Sequence, residues 1–170
     1  MNLQAFIRDV PDFPKKGIIF KDITPLLQNA AAFKHTIDVL TERYRDKRVD
    51  VVVAAEARGF IIGAPLALNL AAGFVPVRKP AKLPAECISA EYSLEYGVDS
   101  LHMHSDAILP GQRVLVIDDL LATGGTVAAK IELVERLGGQ VIGLAFLIEL
   151  TFLNGREALK DYEVVSLIQY

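Results

Sequence analysis

From residue 50 onward the chain alternates short, unbroken apolar runs with longer stretches of helical spacing. Residues 50–55 read DVVVAA with no polar alternation, the pattern of a strand covered on both faces. Residues 60–72 predict a helix and residues 74–78 the next strand. RVLVI at 113–117 predicts another doubly buried strand, introduced by the Pro110–Gly111 turn. Val127, Ile131, Val134 and Leu137 space a helix over 125–137, which Gly138 and Gly139 end. Strands at 141–150 and 164–168 complete the set. Strands alternating with helices predict an α/β fold: a mostly parallel central sheet flanked by helices on both faces.

Two segments break the alternation. Up to about residue 48 the pattern gives a short helix (Leu3, Phe6, Ile7), a Pro-punctuated loop, the run GIIFKD at 17–22, and a helix on Phe33, Ile37, Leu40 and Tyr44. Residues 79–107 alternate polar and apolar positions around Tyr96–Gly97. They predict an antiparallel hairpin, roughly 89–95 with 101–104, preceded by the loop KPAKLPAE. Long insertions in α/β domains usually serve as lids or binding loops. The expectation is one domain over 1–170, with a small N-terminal hood at 1–35 and a flexible hairpin lid at 79–107.

Composition narrows the function classes. A length of 170 residues suits one domain, and an apolar share of 52% supplies a continuous core and rules out disorder by polar composition. The net charge of −3 gives no overall field that would draw nucleic acid. A single cysteine, Cys87, cannot form an internal disulfide and favours a reducing compartment. The N-terminal residues lack the basic flank and apolar stretch of a signal peptide. The apolar stretch 60–77 approaches a membrane span in length, but Gly63, Pro65, Gly73 and Pro76 interrupt it. A cytoplasmic, soluble protein without a membrane or nucleic-acid partner is expected.

The chemistry concentrates in VLVIDDLLATGGT at 114–126. A buried strand delivers Asp118 and Asp119 at its carboxyl end, where open α/β sheets bind ligands. The loop then runs through Thr123, Gly124, Gly125 and Thr126 into a helix. Glycines let backbone N–H groups converge, the helix N-terminus adds partial positive charge, and two Thr hydroxyls add donors. Together these make a cradle for a phosphomonoester. It is not a Walker loop: no Gly-Lys-Ser/Thr follows, and Lys130 lies a turn too late. A Gly-rich turn alone is as often plain packing, but two adjacent carboxylates repel and a structural role rarely needs both. A sugar diol uses them as acceptors, and a magnesium ion, directly or through waters, would use them too. A phosphate cradle beside a diol clamp describes a ribose 5-phosphate site.

These residues resemble the phosphoribosyl pyrophosphate motif of the type I phosphoribosyltransferases. FPKKGIIFKDITPLL near the start, EARGF at 56–60, RKPAKLPAE at 78–86, YSLEYG at 92–97 and the terminal VVSLIQY extend the likeness, in family order, to the adenine-using members. The resemblance implies that Ala122, Thr123, Gly124, Gly125 and Thr126 bind the 5-phosphate and that Asp118 and Asp119 face the ribose and the charge developing at its anomeric carbon. It implies pyrophosphate contacts from Arg58, Gly59, Lys79 and Lys82, catalytic loop roles for Glu95 and Tyr96, and adenine held by Ile19, Phe20 and Lys21. The implied reaction moves ribose 5-phosphate from phosphoribosyl pyrophosphate to adenine, giving AMP and pyrophosphate through an oxocarbenium-like transition state. Magnesium is the implied cofactor, held mainly by phosphoribosyl pyrophosphate rather than by direct protein ligands, and a homodimer is the implied assembly.

Blander readings stand beside several of these residues. EYG at 95–97 is also a good hairpin turn, Phe20 could be ordinary core, and loop lysines such as Lys79 and Lys82 are often solvated charges. His102 and His104 alternate on a strand without a third ligand in view. Ala54 and His102 depart from the family's commoner Gly and acidic residue. Two competing functions remain open at this point: transfer to another purine base, and a non-catalytic regulator that binds nucleic acid. The acidic balance and the absence of an added winged helix disfavour the second.

Overall fold

Doubly buried runs and amphipathic stretches sort into an open parallel sheet with helices on both sides. The structure is a computed structural model that describes residues 1–93 and 98–170. A single 3-10 turn (Leu3–Phe6) leads into a two-stranded antiparallel ribbon, β1 (Arg8–Pro11) with β2 (Ile19–Asp22), and then α1 (Thr24–Gln28) and α2 (Ala30–Tyr44). The Asn29 side chain caps α2 by accepting from the Ala32 N–H at 3.0 Å. Next come β3 (Val51–Ala55), α3 (Arg58–Asn69) and β4 (Gly73–Val77), then the antiparallel pair β5 (Cys87–Ser93) and β6 (Val98–His104). The chain finishes with β7 (Arg113–Leu121), α4 (Gly125–Arg136), β8 (Gln140–Glu149), two 3-10 turns and β9 (Val164–Gln169).

The central sheet has the order β4-β3-β7-β8-β9, with every pairing parallel. Val52, Leu115 and Leu147 face α2 and α3 and pack with Leu40 and Leu66. Val53, Val116 and Phe146 face the other way, against Val134 of α4 and Met103 of the hairpin. From β3 the chain steps outward to β4 and then returns to the opposite side of β3 as β7. The strand order therefore reverses between β3 and β7, and a crevice opens beyond their carboxyl ends.

The fold class and the sheet strands agree with the sequence reading; the differences lie at edges and in short pieces. β7 continues past residue 117 to Leu121, because the strand keeps its parallel pairing with β8 while the charges of Asp118 and Asp119 are met from both faces. α3 starts two residues earlier than expected and stops at Asn69. Ala71 takes a left-handed conformation there (φ 53°) and the Ala72 N–H donates to the Ala67 carbonyl at 2.9 Å, a helix-ending arrangement that lacks the usual glycine signal at that position. β1 reads as polar loop in sequence and becomes a strand only by pairing with β2. Among the described residues no helix is long and apolar enough to cross a membrane.

Candidate active site

The crevice at the strand-order reversal holds a cavity of about 270 Å³. Ala55, Glu56 and Arg58 wall it on the β3 side, and Lys79 approaches from the loop after β4. Asp118, Asp119 and Leu120 of β7 form its floor, and the following loop, Ala122 through Val127, forms one end. Tyr92 and Leu101 close it from the hairpin.

Within that loop Gly124 takes φ +91° and serves as the residue before α4, and its carbonyl accepts the Ala128 N–H at 2.9 Å. The leading N–H groups of α4 have no acceptor within the helix, so they and the helix dipole face the cavity as an anion cradle. A Cβ on Gly124 would lie 2.8 Å from the Gly155 carbonyl oxygen, so the loop packs backbone to backbone against the 3-10 turn Gly155–Leu159.

The two acids of β7 are met by cations from opposite faces of the sheet. Asp118 Oδ2 accepts from Lys130 Nζ of α4 at 2.6 Å, and Asp118 Oδ1 accepts the Asp119 N–H at 3.0 Å. Asp119 Oδ2 accepts from Arg58 Nε of α3 at 2.5 Å. Burial, followed by the neighbouring Asp118 charge, pushes the Asp119 carboxyl up to about 6, and Arg58 opposes that rise. Gly59 lies alongside: a Cβ there would stand 2.8 Å from Asp118 Oδ1, so any larger residue would press on the acid.

Glu56 gathers the loop after β4. It accepts the Lys79 N–H at 2.7 Å, Arg78 Nη2 at 3.3 Å and Lys82 Nζ at 3.2 Å. Burial alone would raise its carboxyl, but these donors outweigh burial and hold it below the usual range. Lys79 Nζ reaches across to Asp99 of β6 at 2.6 Å, and Tyr92 Oη donates to the same carboxylate at 3.1 Å. The hydrogen bond from Lys79 is the largest influence keeping Asp99 low. Among the described residues no group of three His, Cys, Asp or Glu side chains is placed to hold a metal ion.

Of the residues singled out in sequence, Arg58, Lys79, Asp118, Asp119 and Ala122 through Thr126 line one cavity. Lys82 meets its rim through Glu56. Ile19 and Lys21 line a separate, mainly apolar hollow of about 340 Å³ with Leu150, Phe152 and Tyr170. Phe20 links the two regions: its ring packs edge-on to Phe13 at 5.2 Å, and the Arg58 guanidinium lies 5.3 Å from its centroid. Glu95 and Tyr96 lie outside the described residues. Sequence reasoning passed over Glu56, Tyr92, Asp99 and Lys130 as individual site residues. For Lys130 a signal existed: it follows Val127 by three and precedes Val134 by four, so it shares their buried face.

The chain matches the phosphoribosyl transferase domain family over residues 22–169. It is 60% identical over 170 residues to the adenine phosphoribosyltransferase of Alkaliphilus metalliredigens, covering 100% of both chains. The crystal structure of adenine phosphoribosyltransferase from Thermoanaerobacter pseudethanolicus superposes with a TM-score of 0.96 at 58% identity, covering 99% of this chain and 98% of that one. The Saccharomyces cerevisiae enzyme, crystallised with an imino-altritol bisphosphate and adenine, gives a TM-score of 0.92 at 42% identity, over 97% and 96% of the two chains. With its crevice, its cradle and its relatives in agreement, the chain belongs to the phosphoribosyltransferase family, among the adenine phosphoribosyltransferases.

Proposed function

We propose that this chain transfers the ribose 5-phosphate group of phosphoribosyl pyrophosphate to an imidazole-ring nitrogen of adenine. The bond from the anomeric carbon to the pyrophosphate oxygen breaks, the carbon–nitrogen bond forms, and adenine gives up its ring proton, so the products are AMP and pyrophosphate. The observation that carries this reading is the shared cavity: the anion cradle, the two acids of β7 and the cations Arg58 and Lys79 line one space. The cradle suits the 5-phosphate, through Ala122, Thr123, Gly124, Gly125 and Thr126. Asp118 and Asp119 suit the ribose, where fixed negative charge favours a cationic sugar. Arg58, Gly59, Lys79 and Lys82 suit the departing pyrophosphate, whose charge needs cations.

The base fits the ribbon side, by Ile19, Phe20 and Lys21, and residues 1–35 then act as its hood. The hairpin segment 79–107, which carries Glu95 and Tyr96, acts as a lid that excludes water from the cationic sugar. Magnesium enters with the substrate, as the phosphoribosyl pyrophosphate complex; the acids of the cavity already accept from Lys130, Arg58, Arg78 and Lys82. A homodimer working in the cytoplasm completes the reading. The test is AMP formation from adenine and phosphoribosyl pyrophosphate, with hypoxanthine and guanine as controls. Turnover with adenine and little with the 6-oxo bases is expected; preference for either 6-oxo base would overturn the assignment of the base.

A further inference from the structure

α4 carries a fully buried lysine to which the reading above gives no part in the transfer itself. Lys130 has no exposed side-chain surface, and its ammonium donates to Asp118 Oδ2 at 2.6 Å and to the Ile117 carbonyl at 3.2 Å. Its neighbours on the same helical face, Val127 and Val134, are apolar and buried. A leucine or methionine would fill that face without placing a charge out of water, and buried ion pairs are seldom the cheapest way to hold a core. The lysine's position is explained by what it grips. It holds one carboxylate oxygen of Asp118 and the carbonyl of the preceding residue, both at the point where β7 enters the cavity.

We infer that Lys130 is a positioning residue for the transfer reaction, fixing Asp118 so that the acid pair meets the sugar in one geometry. The other Asp118 oxygen takes the Asp119 N–H, so both oxygens are directed from within the protein. Two adjacent carboxylates then coexist because each has its own cation, Lys130 from α4 and Arg58 from α3. The inference rests on the proposed reaction, and AMP formation by the parent enzyme is the control that separates the two.

The experiment compares Lys130→Met, Asp118→Asn and the double variant with the parent, by initial rates at varied phosphoribosyl pyrophosphate and by Tm. Lys130→Met is expected to lower kcat about tenfold to a hundredfold in folded protein, with KM for phosphoribosyl pyrophosphate within about threefold. The double variant is expected to match Asp118→Asn in kcat, since the lysine acts only through that acid. A Lys130→Met kcat within about twofold of the parent's overturns the inference, as does a double variant whose losses multiply. Should Lys130→Met fail to fold, the comparison of Asp118→Asn with the neutral double variant decides it by the same criterion. A parent that makes no AMP would instead sink the proposed function.

Discussion

Replacing Gly124 by alanine perturbs the cradle without adding charge or much volume. The residue sits at φ +91°, and a Cβ there would lie 2.8 Å from the Gly155 carbonyl oxygen and 3.4 Å from the Ala158 Cβ. Holding a non-glycine residue in a left-handed conformation costs about 1–2 kcal/mol. The close oxygen belongs to backbone, and Gly155 is itself confined, since a Cβ on it would stand 2.2 Å from the Ala122 carbonyl oxygen. No side-chain rotation relieves the contact, so the loop itself must move. If about 1–2 kcal/mol falls on ligand binding, KM for phosphoribosyl pyrophosphate and Kd for AMP rise about fivefold to thirtyfold. Steady-state kinetics and calorimetric titration with AMP read this directly. Gly111→Ala is the control: φ is +83° and nothing lies within 4 Å, so it carries strain without a clash and away from the cavity. It should lower Tm and leave KM alone. A Gly124→Ala enzyme with KM for phosphoribosyl pyrophosphate within about twofold of the parent's would refute the cradle, whatever its Tm.

Other perturbations follow from the same geometry. Asp119→Asn should reduce kcat about a hundredfold or more while KM changes little, because its charge matters most when the sugar is cationic. The proposed reaction needs Asp119 ionised, and burial with the Asp118 charge pushes its carboxyl up to about 6, so kcat/KM should fall as pH drops through that value. Arg58→Gln removes the charge that opposes the rise and should move this acid limb to higher pH. At the end of β8, buried Glu149 accepts twice from Arg156, and that pair, with Ser166, holds the carboxyl below its usual range against burial. A depressed carboxyl adds stability above its unfolded pKa and loses it as pH falls through the folded one. Arg156→Leu should therefore lower Tm at neutral pH and flatten the fall of Tm in acid; an unchanged Tm–pH curve would contradict it. Chelating magnesium should suppress turnover, and full activity in excess chelator would count against a magnesium-bound substrate.

Much of the fold was legible because parallel strands buried on both faces leave unbroken apolar runs. DVVVAA and RVLVI mark β3 and β7, and the acids, the glycines and the following amphipathic helix mark the cradle from sequence alone. What stayed hidden depends on contacts between distant segments. β1 has no strand pattern of its own and forms by pairing with β2. Asp99 and Tyr92 face one another only through the hairpin register. Lys130 reads in sequence as a lysine misplaced for a phosphate loop, whereas its position on the buried face of α4 directs it to Asp118. Glu56 sits in a recognised motif, yet its work as the collector of Lys79, Arg78 and Lys82 needs the loop after β4 folded back on it.

A crystal structure with AMP bound tests the central claim most directly. The phosphate should lie within hydrogen-bonding distance of the backbone N–H groups of residues 123–126, with the ribose hydroxyls on Asp118 and Asp119 and the base toward Ile19 and Phe20. A nucleotide seated away from the end of β7, or with its phosphate on Arg58 and Lys79 and its ribose clear of both acids, would contradict the account.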